Sequence, residues 1–174
     1  PTQHTSSAAS DVYKRQLFTV VLNAQPATDV VVQFVSADTG EVTVTSLLTF
    51  TSANWDTAQT VTVTGVDDDI VDGSVTSTIT VAINDGSSDD NFDAVADQTV
   101  SVTTTDDDVA GFTIAETDGS TSVTEAGSTD LFTVVLNAQP TTDVVLSISS
   151  ADTGEATVTS SLTFTSANWD TPQN

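Results

Sequence analysis

Residues 60–83 read TVTVTGVDDDIVDGSVTSTITVAI. Two runs of strict apolar–polar alternation flank a short stretch rich in Asp and closed by Asp-Gly. Alternation with period two is the mark of a half-buried β-strand, because successive side chains point to opposite faces. The apolar members are Val and Ile and the alternating partners are mostly Thr, all β-branched and suited to a pleated surface. Residues 60–66 and 74–83 are therefore predicted as two strands that turn back on each other through an acidic loop. The same grammar runs through the rest of the chain. No segment shows a convincing helical period.

The chain has 174 residues, with 2 basic and 25 acidic side chains and a formal charge of −23. Both basic residues, Lys14 and Arg15, lie in the first 16 positions, with the only His and the only Tyr. From Leu17 onward there are 24 acids and no cation. A phosphate backbone needs a basic patch, so nucleic acid is excluded as a partner. No side-chain salt bridge can form over 17–174, and self-repulsion must be relieved by solvent ions or bound metal. Cys is absent, which removes disulfides and thiolate metal sites. No apolar run reaches the length of a membrane-spanning helix.

An internal duplication sets the organisation. LFTVVLNAQP occurs at 17–26 and 131–140, ADTGE at 37–41 and 151–155, and LTFTSANWDT at 48–57 and 162–171, always 114 residues apart. Of the 44 positions in 17–60, 35 are identical in 131–174. A period of that length fits a whole domain. The match begins at Leu17, and SAASDVYKRQ just before it resembles a translated sequencing adapter. Residues 1–16 are expected to be a foreign or disordered head. Residues 17–109 are expected to form a first repeat without its opening strand, and 110–174 a second repeat ending after its fourth strand.

Joining the two copies gives one repeat of seven strands. They are 111–125 (broken at the turn TDGS), 131–138, 144–149, 156–165, 60–66, 74–83 and 98–105. Short loops join them, so an all-β fold of tandem immunoglobulin-like antiparallel β-sandwiches is predicted. In up–down succession the first, third, fifth and seventh strands end at one pole. That pole would collect Glu125, Asp38 and Glu41 (Asp152 and Glu155 in the second copy), Asp67, Asp68, Asp69 and Asp72, and Asp106, Asp107 and Asp108. Ca2+ takes 6–8 oxygens at about 2.3–2.6 Å. Flexible carboxylates from neighbouring strand ends can supply them. An all-oxygen donor set argues against Zn2+ and Cu2+. The simpler use of such turns is a solvated, repulsive surface.

The stretches SVTEAG (122–127), SLTFTSANWDT (161–171), GVDDDIVDG (65–73) and TTTDDDVAG (103–111) resemble the Calx-beta family of calcium-binding sandwiches. That family recurs as tandem repeats in large bacterial surface proteins. The resemblance spans nearly all of 17–174. It implies Ca2+ as the cofactor and Glu125 as the acid after the first strand. It implies Asp67, Asp68 and Asp72 as the middle group, with Ile70 as a backbone-carbonyl ligand, and Asp106, Asp107 and Asp108 as the terminal run. Asp38 or Glu41 takes the place of an acid that the family usually shows as an Asp-Tyr pair. The Asp-Gly at 72–73 replaces a glutamate-rich loop, which implies fewer ions or weaker binding. The resemblance implies an extracellular or bacterial cell-surface spacer whose partners are neighbouring repeats of the same chain, with surface glycans or proteins met by other domains.

Three further features invite a site. Asp89, Asn91 and Asp93 echo the start of an EF-hand loop, but Ala94 and Val100 stand where Gly and Glu belong. Trp55 and Trp169 follow the fourth strand and suit a hydrophobic plug; the alternative is a carbohydrate- or protein-binding module that uses them for contact. The Thr rows could be read as ice-binding, although Thr is common on exposed strand faces. Catalysis is not expected: beyond residue 16 there is no His, Cys, Lys or Tyr to serve as nucleophile or base.

Overall fold

The computed structural model describes residues 16–174; the head expected over 1–16 lies outside them except for Gln16. The described chain is all-β, with antiparallel sheets and three single-turn 3-10 helices. It divides into two compact units. The first contains the described residues up to Asp67 and Ser74–Thr105, and the second contains Asp68–Gly73 and Asp106–Asn174.

The first unit has seven strands: β1 (Gln16–Val20), β2 (Val30–Ser36), β3 (Val42–Val44), β4 (Leu47–Phe50), β5 (Gln59–Gly65), β6 (Val75–Ile83) and β7 (Gln98–Thr104). They form a three-stranded sheet in the order β1-β5-β3 and a four-stranded sheet in the order β4-β2-β6-β7, with every pair antiparallel. One core lies between the sheets. Val61 and Val63 of β5 and Val42 of β3 enter it from one side. Val30, Val32 and Phe34 of β2, Phe50 of β4, Ile79 of β6 and Val102 of β7 enter from the other. Phe18 and Phe34 meet edge to face with ring centroids 6.0 Å apart, a favoured aromatic geometry. Two sheets sharing one core is an arrangement consistent with a β-sandwich.

The sequence pattern predicts a single fourth strand, yet the first unit builds two. β3 pairs with β5 and β4 pairs with β2, so one continuous segment crosses from one sheet to the other. The crossing is made at Thr45 and Ser46. Thr45 donates its N–H to the Thr62 carbonyl, which keeps it on β5, and the Ser46 carbonyl accepts the Phe34 N–H, which delivers it to β2. The strands read from 60–83 are both present. β5 and β6 are successive in sequence but lie in different sheets, so the segment between them closes no two-stranded turn.

The second unit contains β8 (Phe112–Glu116), β9 (Phe132–Leu136), β10 (Val144–Ser147) and β11 (Ser161–Phe164). β8 pairs with β9, and β10 with β11. Val134, Leu136, Leu162 and Phe164 form its core, with Trp169 packed against them. The expected first strand ends at Glu116: a 3-10 turn at Thr117–Gly119 follows, and 121–125 are not strand. Local polar groups claim that stretch instead. Ser122 donates its N–H to Asp130 Oδ2 and Thr124 donates its N–H to Ser128 Oγ, the kind of side-chain bond that competes with a ladder.

The turns of the two copies repeat in detail. Asn54 Oδ1 accepts the Thr51 N–H at 2.6 Å, and Asn168 Oδ1 accepts the Thr165 N–H at 2.6 Å. Asp38 Oδ1 accepts the Gly40 N–H and Asp152 Oδ1 the Gly154 N–H, each at 3.0 Å. Asn and Asp hold turns this way because their short side chains mimic a backbone acceptor.

Candidate functional site

β5 ends at Gly65, opposite Val42. Val66 then donates its N–H to the Glu41 carbonyl at 2.8 Å, and Thr104 Oγ1, at the end of β7, donates to the same carbonyl at 3.2 Å. Three chain positions far apart in sequence thus meet on one backbone oxygen. A carbonyl has two lone pairs and can take both donors. Thr104 also fills the space beside Gly65, where a Cβ would lie 3.6 Å from its Cγ2. The end of β5, the start of β3 and the end of β7 are tied together by these bonds.

Among the described residues, Asp68 and Asp72, both on the 68–73 loop of the second unit, form an acidic pair that could contribute to a metal site. One carboxylate oxygen of each lies within 4.8 Å of the other. Two oxygens on one Ca2+ stand at most about 5 Å apart, twice the Ca–O distance, so this spacing fits that ion. The donors are all hard oxygens, the type Ca2+ prefers. Glu41 is half-buried, while Asp68 and Asp72 are exposed. Asp68 already accepts the Ile70 N–H on Oδ1 at 2.8 Å, which orients the carboxylate and leaves its second oxygen.

The other predicted ligands are placed differently. Asp106 spends both oxygens on backbone donors: Oδ2 accepts the Gly73 N–H at 2.7 Å and Oδ1 the Asp108 N–H at 2.8 Å. Gly73 has φ of 82°, a conformation that favours glycine. Asp106 therefore acts as a clamp on the loop that carries Asp68 and Asp72. Asp69 turns its carbonyl to the Gln139 N–H at 2.7 Å. Asp107 is exposed, Asp108 is half-buried and Asp67 is exposed. Asp38 caps its own turn through Oδ1. Glu125 is exposed in the turn before Gly127. No group of three or more acids among the described residues includes Asp67, Asp69, Asp106, Asp107, Asp108, Glu125 or Asp38.

The loop with the EF-hand echo has another use. Asp89 is 4% exposed. Its Oδ2 accepts the N–H groups of Ala27 and Thr28 at 2.6 and 3.1 Å, and its Oδ1 accepts the N–H and Nδ2 of Asn91 at 3.0 and 2.7 Å. These donors, led by the Asn91 N–H, hold its carboxyl down at about 2. Asp89 thereby pins the 26–29 turn to the 85–97 loop. Asp93, on the same loop, is pushed up by desolvation and by the charges of Asp85, Asp90 and Asp89. Asp130 is held down by the N–H groups of Ser122 and Leu131. The signal for Asp89 was present in Asp-x-Asn, an Asx-turn pattern, but its long-range partners at 27 and 28 leave no local trace.

In comparisons with protein-family models, with curated proteins and with solved structures, nothing matches this chain. No helix among the described residues is long and apolar enough to cross a membrane.

Proposed function

We propose that this protein is a calcium-binding structural module of an extracellular or cell-surface bacterial adhesin-like protein, built from tandem immunoglobulin-like sandwiches of the Calx-beta type. The observation that carries the reading is the approach of Asp68 and Asp72 to within 4.8 Å on one loop, in a chain that has no basic residue beyond Arg15. The strand orders β1-β5-β3 and β4-β2-β6-β7 support the immunoglobulin-like type. Calcium bound there would supply positive charge to 17–174, which has no basic side chain. Asp68 and Asp72 would hold it, and Asp106 would keep the 68–73 loop in place through Gly73. The role is mechanical: fixing strand ends and stiffening the chain between neighbouring repeats, with glycan or protein contact left to other domains. It calls for no catalytic step.

Thermal unfolding across a calcium titration tests this. A site that binds only the folded state adds about 2.7 kcal/mol when calcium reaches 100 times its dissociation constant. The expected result is a rise in midpoint with calcium, absent with magnesium or sodium at equal ionic strength, and lost in Asp68→Asn/Asp72→Asn. An equal rise with all three salts would reduce the effect to charge screening and remove the site.

A further inference from the structure

LFTVVL occurs twice, at 17–22 and 131–136, in two different settings. In the second unit β8 lies along β9, with Phe112 opposite Leu136, Ile114 opposite Val134 and Glu116 opposite Phe132. In the first unit, β1 pairs only with β5 among the described residues, and it forms an edge of its sheet.

Three differences between the copies mark what that edge lacks. β9 runs through Leu136, whereas β1 stops at Val20, two residues before the equivalent Leu22. Val134 and Leu136 are 3% and 8% exposed; the equivalent Val20 and Leu22 are only half-buried, and Val21 is 46% exposed. Asn137 donates its N–H to the Gly111 carbonyl at 2.9 Å and its Oδ1 accepts Thr113 Oγ1 at 2.9 Å. Its counterpart Asn23 is exposed and has no such bond among the described residues.

The donors on the β1 edge also face the right way. Leu22 donates its N–H to the Trp55 carbonyl, as Leu136 does to Trp169. Successive N–H groups along a strand alternate sides, so Thr19, Val21 and Asn23 direct theirs to the outer edge. The equivalent groups in the second unit face β8.

We propose that the outer edge of β1 is a strand-acceptor site that takes an extended segment with the residue pattern of 111–116, Gly-Phe-Thr-Ile-Ala-Glu. The segment adds antiparallel, with its Phe opposite Leu22, its Ile opposite Val20 and its Glu opposite Phe18. This is β-augmentation, in which main-chain bonds give affinity and alternate side chains give selectivity. A Cβ at Gly111 would stand 2.9 Å from Asn137 Nδ2, so a larger residue opposite Asn23 requires that side chain to shift. The proposal is independent of calcium.

The test uses the whole chain and a synthetic peptide of residues 110–117. Amide hydrogen exchange at Thr19, Val21 and Asn23 is expected to slow by about tenfold or more on saturation. A peptide with its order scrambled should not slow it. Val21→Pro removes one edge N–H where proline is tolerated, and should abolish binding while leaving the unfolding midpoint in place. Asn23→Ala, at an exposed side chain, should weaken binding and serves as the second variant should Val21→Pro disturb folding. The proposal is overturned by unchanged exchange with the peptide, by equal binding of the scrambled peptide, or by amides at 19, 21 and 23 already as protected as those of β5 without any peptide.

Discussion

Asp89 shows how one buried carboxylate can replace a stretch of ladder. It accepts four donors, three of them backbone N–H groups from two loops, and such bonds favour the charged form. Its pKa in the folded chain, about 2, lies below the ordinary Asp value of about 3.9. Stability from this group is therefore complete above about pH 4 and is lost as pH falls toward 2. Asp89→Asn should lower the unfolding midpoint at pH 7, because an amide nitrogen replaces one acceptor. The gap between wild type and Asp89→Asn should narrow between pH 4 and pH 2. Midpoints measured over that range check it, and a constant gap would assign the pH dependence to other acids. The difference is the quantity to follow, since protonating the remaining acids relieves repulsion and moves both proteins together.

At the scale of elements, the segment 42–50 explains why one strand was expected and two are present. Val42 and Phe50 are buried and Val44 and Leu48 half-buried, so the inward positions keep period two straight through the crossing at Thr45–Ser46. Nothing in the pattern marks the change of sheet, because both sheets face the same core. β6 carries a different irregularity. Its inward face reads Val75, Ser77, Ile79 and Val81, and Ser77 is 4% exposed with a hydroxyl that has no hydrogen-bond partner. A buried polar group without a partner costs about 1–3 kcal/mol. Ser77→Ala should raise stability by about 1 kcal/mol in chemical denaturation. A loss of stability would mean that the hydroxyl is paired in solution.

For the whole molecule, charge is the dominant long-range force. With 24 acids and no cation from Leu17 onward, screening removes repulsion without weakening any side-chain ion pair in that region. Raising sodium chloride from about 10 mM to 150 mM shortens the Debye length from roughly 30 to 8 Å, and the unfolding midpoint should rise. Calorimetry at the two salt concentrations checks this, and a fall would be inconsistent with a repulsion-dominated fold. The specific calcium effect must appear on top of that rise. Convergence of acids is narrower than the up–down topology suggests. Strand direction alone brings ten predicted acidic ligands to one pole, whereas the close approach is that of Asp68 and Asp72 on one loop. Asp106 and Asp38 are occupied by backbone N–H groups instead.

The amino-acid sequence by itself determined where most of the strands lie, their inward faces, the turns and the duplication. Each follows from short-range rules: a period of two along a pleated chain, Asn and Asp as local acceptors, and identity at a spacing of 114 residues. It determined equally that any pairing of these acids with positive charge must come from outside 17–174. Only the tertiary structure decided which sheet each strand joins, that Asp106 clamps the 68–73 loop through Gly73, and that the same LFTVVL lies beside β8 in one copy and at a sheet edge in the other. Those outcomes depend on register and on hydrogen bonds between residues tens of positions apart. Identical segments acquire different burial because their neighbours differ, and neighbours are settled by the folding of the whole chain.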